Sequence, residues 1–86
     1  MPILVMKFGG TSVATLDRIK RAANRVKLEV SNGYDVIVIV SAMSGKTNEL
    51  AGWVNKTSPL YDAREYDAVV SSGENVTAGL MALTLQ

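Results

Sequence analysis

Residues able to do chemistry gather at three places in this chain. The first is Lys7-Phe8-Gly9-Gly10-Thr11-Ser12, where an apolar run ends in one cation, two glycines and two hydroxyls. Glycines let backbone N–H groups approach phosphate oxygens, and a lysine adds positive charge beside them. Those parts suit the holding of phosphate groups. A tight strand–helix turn with a snorkelling lysine would carry the same residue types. The Gly-x-Gly-x-x-Gly dinucleotide fingerprint is absent.

The second place is Ser41-Ala42-Met43-Ser44-Gly45-Lys46-Thr47. Its Gly45-Lys46-Thr47 imitates the end of a P-loop. That motif needs a glycine five positions before Gly45, and residue 40 is valine, so the match fails. A hydroxyl-rich loop remains, in which Thr47 is also a reasonable helix N-cap. The third place is Glu74, directly after Ser71-Ser72-Gly73. A fixed carboxylate there suits a substrate ammonium group. It equally suits the first turn of a helix, where the dipole favours negative charge.

Composition narrows the chemistry. The chain has 86 residues, 48% of them hydrophobic and 20% charged, as in one small globular domain. It contains no histidine and no cysteine. Disulfides, thiolate catalysis and imidazole bases are therefore excluded within these residues, leaving lysine, carboxylates, hydroxyls and backbone N–H groups. Net charge is +1, so no overall field recruits nucleic acid or a membrane surface. Arg18, Lys20, Arg21, Arg25 and Lys27 crowd one segment without interleaved aromatics and read as a solvated helix face. Met1-Pro2 lacks a basic signal-peptide start, and no apolar run approaches the roughly 20 residues of a membrane span. The expected location is cytoplasmic.

The elements that must position these groups follow from periodicity. Residues 3–8 and 35–40 are nearly continuous apolar runs, the mark of strands buried on both faces of a parallel sheet. Between them, Leu16, Ile19, Ala22, Ala23, Val26 and Val30 form one helical stripe over 15–31, with Thr15 as N-cap and Gly33 as the C-terminal stop. This strand–helix–strand order predicts two parallel strands, with the first two candidate loops at the same sheet edge. A short helix follows from Thr47, with Leu50, Trp53 and Val54 inward. Beyond a break at Pro59, Tyr61, Arg64/Glu65, Ala68 and Val69 predict a helix over 62–71. Ser71-Ser72-Gly73 interrupts it, and Glu74 opens a last helix whose inner face is Val76, Leu80 and Leu83, widened by Met81 and Leu85. That helix is apolar around much of its circumference and needs cover. Two strands and these helices cannot bury both sheet faces, which predicts that residues 1–86 are part of a larger protein, with no internal boundary.

Taken together, Lys7 through Val13, Val40 through Asn48 and Ser72 through Gly79 resemble the N-terminal part of aspartokinases, members of the amino-acid kinase family. The order and spacing match, and the resemblance covers essentially the whole chain. It implies an α/β fold, an αβα sandwich around a mainly parallel sheet, of which the N-terminal part of one kinase domain is present. It implies transfer of the ATP γ-phosphoryl group to the side-chain carboxylate of L-aspartate, the first step toward lysine, threonine and methionine. By resemblance, Lys7, Phe8, Gly9 and Gly10 contact the ATP phosphates, with Lys7 stabilising the transferring group. Ser41 lies where nucleotide and substrate meet, Gly45 and Thr47 belong to the aspartate loop, and Glu74 holds the substrate amine. Mg²⁺ would accompany ATP, held mainly through its phosphates. The family's later nucleotide motif and its regulatory ACT domains would lie beyond Gln86, as would the surfaces through which an oligomer forms, so these residues alone are expected to be inactive. Kinases of the same family acting on glutamate, acetylglutamate or carbamate are the nearest alternatives. A non-catalytic piece that binds nucleotide or pairs with another subunit is the alternative of a different class.

Overall fold

The computed structural model describes residues 2–60 and 62–86. The elements run β1 (Ile3–Phe8), a 3₁₀ turn (Gly10–Val13), α1 (Leu16–Ser31), β2 (Asp35–Val40), α2 (Lys46–Thr57) and α3 (Ala63–Leu85). β1 and β2 pair in parallel, with Lys7 opposite Ile39 and Phe8 opposite Val40. The two strands therefore end at the same level, and the loops that follow them emerge side by side.

α1 forms as its periodicity predicts. The Thr15 hydroxyl accepts the Arg18 N–H at 3.2 Å, closing the N-terminus. At the other end Gly33 takes φ +97°, a left-handed conformation open to glycine, and its N–H reaches the Val30 carbonyl at 3.0 Å. Ile19, Ala22, Ala23 and Val26 are buried along one face. Leu16 and Val30, assigned to the same stripe, are exposed, because they sit at the ends of the helix beyond its contact with the sheet.

The core forms between one sheet face and the helices. Val13, Ile19, Ala22, Ala23 and Met81 make its buried centre, with Phe8, Val38, Val40, Met43, Leu80 and Leu85 packed around it. Side chains alternate along a strand, so Phe8, Val38 and Val40 face inward while Ile3, Val5, Ile37 and Ile39 face out. The outward four are 46–67% exposed. Burial on both sheet faces, expected from the unbroken apolar runs, is thus seen on one face within this chain.

The C-terminal third departs from expectation. Instead of two helices broken at Ser71-Ser72-Gly73, α3 runs unbroken for 23 residues. The Ser71 and Ser72 hydroxyls turn back onto the Ala68 and Val69 carbonyls, which lets serine sit inside a helix. Gly73 is a packing residue and does not break the helix. A Cβ there would lie 3.1 Å from Leu50 Cδ1, 3.2 Å from Lys46 Cγ and 3.3 Å from Ala42 Cβ. The glycine lets α3 press directly on α2 and the loop before it. The inner face of α3 is accordingly Gly73, Thr77 and Met81. Val76 and Leu83, assigned inward from spacing, are 54% and 67% exposed. Asp62 caps α3 through a 2.7 Å bond from the Arg64 N–H, and Tyr61, placed on this helix by the sequence pattern, lies outside the described residues. Among the described residues no helix is long and apolar enough to cross a membrane.

Candidate functional site: two clefts sharing one turn

The turn after β1 and the loop after β2 are stitched together through their backbones. Ser41 N–H donates to the Phe8 carbonyl at 3.2 Å, continuing the parallel ladder one residue past the strands. Ser44 N–H then donates to the Gly10 carbonyl, also at 3.2 Å. Contact at Gly10 is tight enough to favour glycine, since a Cβ would sit 3.0 Å from the Ala42 carbonyl oxygen. Gly45 adopts φ +81° at the start of α2, again a conformation that favours glycine. Gly9 is different. Its φ is −73°, and a Cβ there would meet nothing within 4 Å. Nothing in the fold demands glycine at position 9.

One cleft, of about 450 Å³, opens on the α2 side of this turn. Its walls include Gly10, Thr11, Ser41, Gly45, Thr47 and Glu74. Three segments widely separated in sequence thus line one cleft. Gly73 brings α3 against Ala42, and this sets its neighbour Glu74 facing the loop. Because α3 is continuous, Glu74 lies well inside a helix, so the first-turn dipole does not account for it. It makes no salt bridge among the described residues, where the pairs are Lys46–Glu49 and Arg64–Asp62. The hydroxyls are available too. α2 begins at Lys46 behind Gly45, with no side-chain cap bond, so Thr47 is not the cap. Ser31, Thr57, Ser71, Ser72, Thr77 and Thr84 all bond their own helix's carbonyls, whereas Thr11, Ser41, Ser44 and Thr47 form no such side-chain bond.

A second cleft, of about 660 Å³, lies on the other side of the turn, between β1 and α1. Lys7, Phe8 and Ser12 line it together with Arg18, Arg21 and Arg25. The predicted site is therefore divided. Lys7 and Phe8 belong to this basic cleft, and Gly10 to the hydroxyl-and-carboxylate cleft. Sequence reasoning missed Asn48, which lines the smaller cleft one residue beyond Thr47. It read the α1 arginines as a solvated face, and Arg18, Arg21 and Arg25 are exposed; their spacing of three and four also places them on one side, along the edge of this cleft.

Comparison with known proteins agrees with this architecture. The sequence profile of the amino acid kinase family matches residues 2–86. The chain belongs to the amino acid kinase family. It is 51% identical over 89 residues to an aspartokinase of Rickettsia felis, matching all of this chain and 22% of that protein. An aspartokinase of Pseudomonas aeruginosa is 48% identical over 85 residues, 99% of this chain and 21% of that one. The crystal structure of aspartate kinase from Synechocystis superposes with a TM-score of 0.94 at 43% identity, covering all of this chain and 15% of that chain. The fold is thus that of the N-terminal part of aspartate kinase. This chain spans about a fifth of the length of the curated relatives it matches.

Proposed function

We propose that these residues form the acceptor pocket and one wall of the nucleotide site of an ATP-dependent aspartate kinase. The observation that carries the reading is the smaller cleft. Its lining includes an uncompensated carboxylate, Glu74, and the hydroxyls of Ser41 and Thr47. That pattern complements an amino acid, whose ammonium pairs with a carboxylate and whose carboxylates accept bonds from hydroxyls. Gly9 is consistent with the nucleotide side, because a Cβ there would meet nothing within 4 Å among these residues and would leave the backbone open to a ligand.

The reaction is transfer of the γ-phosphoryl group to the aspartate side chain. A carboxylate oxygen attacks the γ-phosphorus, the bond to the β–γ bridging oxygen breaks, and ADP departs. Aspartate, with a side-chain pKa of about 3.9, is already the anion at neutral pH, so no general base is required. The absence of histidine and cysteine fits that chemistry. Glu74 anchors the amine, Ser41 and Thr47 orient the acceptor, and Lys7 draws charge from the transferring group. Among the described residues no three His, Cys, Asp or Glu groups converge to cage a metal. Mg²⁺ bound to ATP would be held by phosphates and water, and no step here runs through it.

We assign turnover, cytoplasmic location and any oligomer to the full-length polypeptide that carries these residues, and expect the 86 residues alone to be inactive. A coupled ADP-release assay on the full-length polypeptide should show turnover dependent on L-aspartate. Turnover with glutamate, acetylglutamate or carbamate but not aspartate would overturn the substrate assignment. Aspartate-dependent turnover by residues 1–86 alone would overturn the division of labour.

A further inference from the structure

Glu74 keeps a free carboxylate although a lysine packs beside it. Lys46 stands between Gly45 and Thr47, two residues that line the cleft of Glu74, but does not line that cleft itself. Its stem lies on α3 instead. Lys46 Cγ is 3.2 Å from where a Cβ would stand at Gly73, the residue before Glu74, and Lys46 shares a smaller cavity with Ser72, Gly73 and Val76. A lysine stem is flexible, and Glu74 is a single helical step from Gly73. The ammonium nevertheless turns the other way. Lys46 Nζ bonds Glu49 Oε2 at 3.3 Å on its own helix. Glu74 is in neither ion pair among the described residues.

The Lys46–Glu49 pair contributes little to stability, because its side chains are 41% and 44% exposed and water and salt screen them. Its consequence is the direction of the ammonium. Lys46 is the first residue of α2, where the helix dipole repels a cation. With Glu49 neutral, nothing on α2 offsets that repulsion, and the ammonium turns toward Glu74. There it competes with a substrate ammonium for one carboxylate. We propose that Glu49 is a positioning residue for the amino-acid site: by holding Lys46 on α2 it keeps Glu74 open to the substrate. This role of Glu49 rests on the kinase reading above. Its size follows from exposure. Exposed lysine–carboxylate pairs hold with equilibrium constants of about 1 to 5. A freed Lys46 would then occupy Glu74 for about half to five-sixths of the time, which raises the apparent KM for the amino acid by about two- to sixfold.

Steady-state kinetics of ADP release by the full-length polypeptide test this. Glu49→Gln should raise the KM for L-aspartate by about two- to sixfold and leave kcat and the KM for ATP unchanged. The rise should shrink as salt is added. Lys46→Met should leave the KM for L-aspartate unchanged, and Glu49→Gln/Lys46→Met should return it to the wild-type value. That rescue separates positioning from a structural role, because damage to α2 would persist once Lys46 is also removed. Where Glu49→Gln alone melts early, the double variant is compared with Lys46→Met, and the two should share one KM. An unchanged KM in folded Glu49→Gln overturns the proposal, as does a double variant no better than Glu49→Gln. A raised KM in Lys46→Met overturns it too, and would make Lys46 a substrate ligand. A wild type without aspartate-dependent ADP release ends the kinase reading and the role of Glu49 with it. Normal wild-type turnover beside an unchanged Glu49→Gln ends the role of Glu49 alone.

Discussion

The two clefts beside the Gly9–Gly10 turn are built from opposite chemistry. The β1–α1 cleft gathers Lys7, Arg18, Arg21 and Arg25 with no carboxylate. The cleft toward α2 and α3 gathers hydroxyls around a single carboxylate, Glu74, with no lysine or arginine in its walls. A polyanion and an amino acid would each find a complementary surface, with one turn between them. Such separation keeps Glu74 from neutralising Lys7, which would cost both ligands their partner. On the proposed kinase reading, a phosphoryl group would pass between ligands held on either side of this turn. The backbone bonds from Ser41 to Phe8 and from Ser44 to Gly10 tie the turn to the loop after β2.

Variants can break or sharpen this contrast. We predict the largest effect for Lys7→Ala in the full-length polypeptide: kcat should fall by about 10²- to 10³-fold in the ADP-release assay, with little change in the KM for aspartate. Equal loss of aspartate affinity would erase the distinction between the clefts. Glu74→Gln should raise the KM for aspartate by roughly 10- to 100-fold and leave that for ATP unchanged; an effect on ATP alone would place Glu74 on the wrong side. Gly10→Ala should raise both KM values together, by about tenfold, because its Cβ meets the Ala42 carbonyl at 3.0 Å and a backbone atom cannot step aside. Only one constant moving would show that the turn is not a shared wall. Thr47→Val, which removes one exposed hydroxyl, should weaken aspartate by about three- to tenfold, and steady-state kinetics with no change at all would remove Thr47 from the pocket.

Much of the scaffold was legible because local signals agreed. The α1 stripe, Thr15 and Gly33 all pointed to one helix, and two β-branched runs flanking it pointed to a parallel pair. The errors share one cause. Ser71-Ser72-Gly73 looks like a break because glycine and serine disfavour helix by local preference. Here the hydroxyls bond their own helix, and the glycine is favoured by close packing against Leu50, Lys46 and Ala42. Val76 and Leu83 were assigned inward because apolarity was taken as burial, yet the inner face is chosen by what Gly73 touches. The arginines of α1 were read as solvent-facing and are exposed; what periodicity did not report is the cleft that Arg18, Arg21 and Arg25 line.

The amino-acid sequence by itself determined β1, α1 and β2, the parallel order of the strands, and the side-chain types present at the candidate site. Those follow from short-range periodicity and from side-chain chemistry, which neighbours along the chain suffice to specify. Tertiary structure alone decided that Lys7 and Glu74 face different clefts, that Gly73 positions Glu74, and that three arginines join Lys7 in one of them. The reason is geometric. Which side of a turn a group faces depends on contacts between residues dozens of positions apart, and a carboxylate at position 74 meets a loop at position 41 only because a missing Cβ lets two helices close on each other.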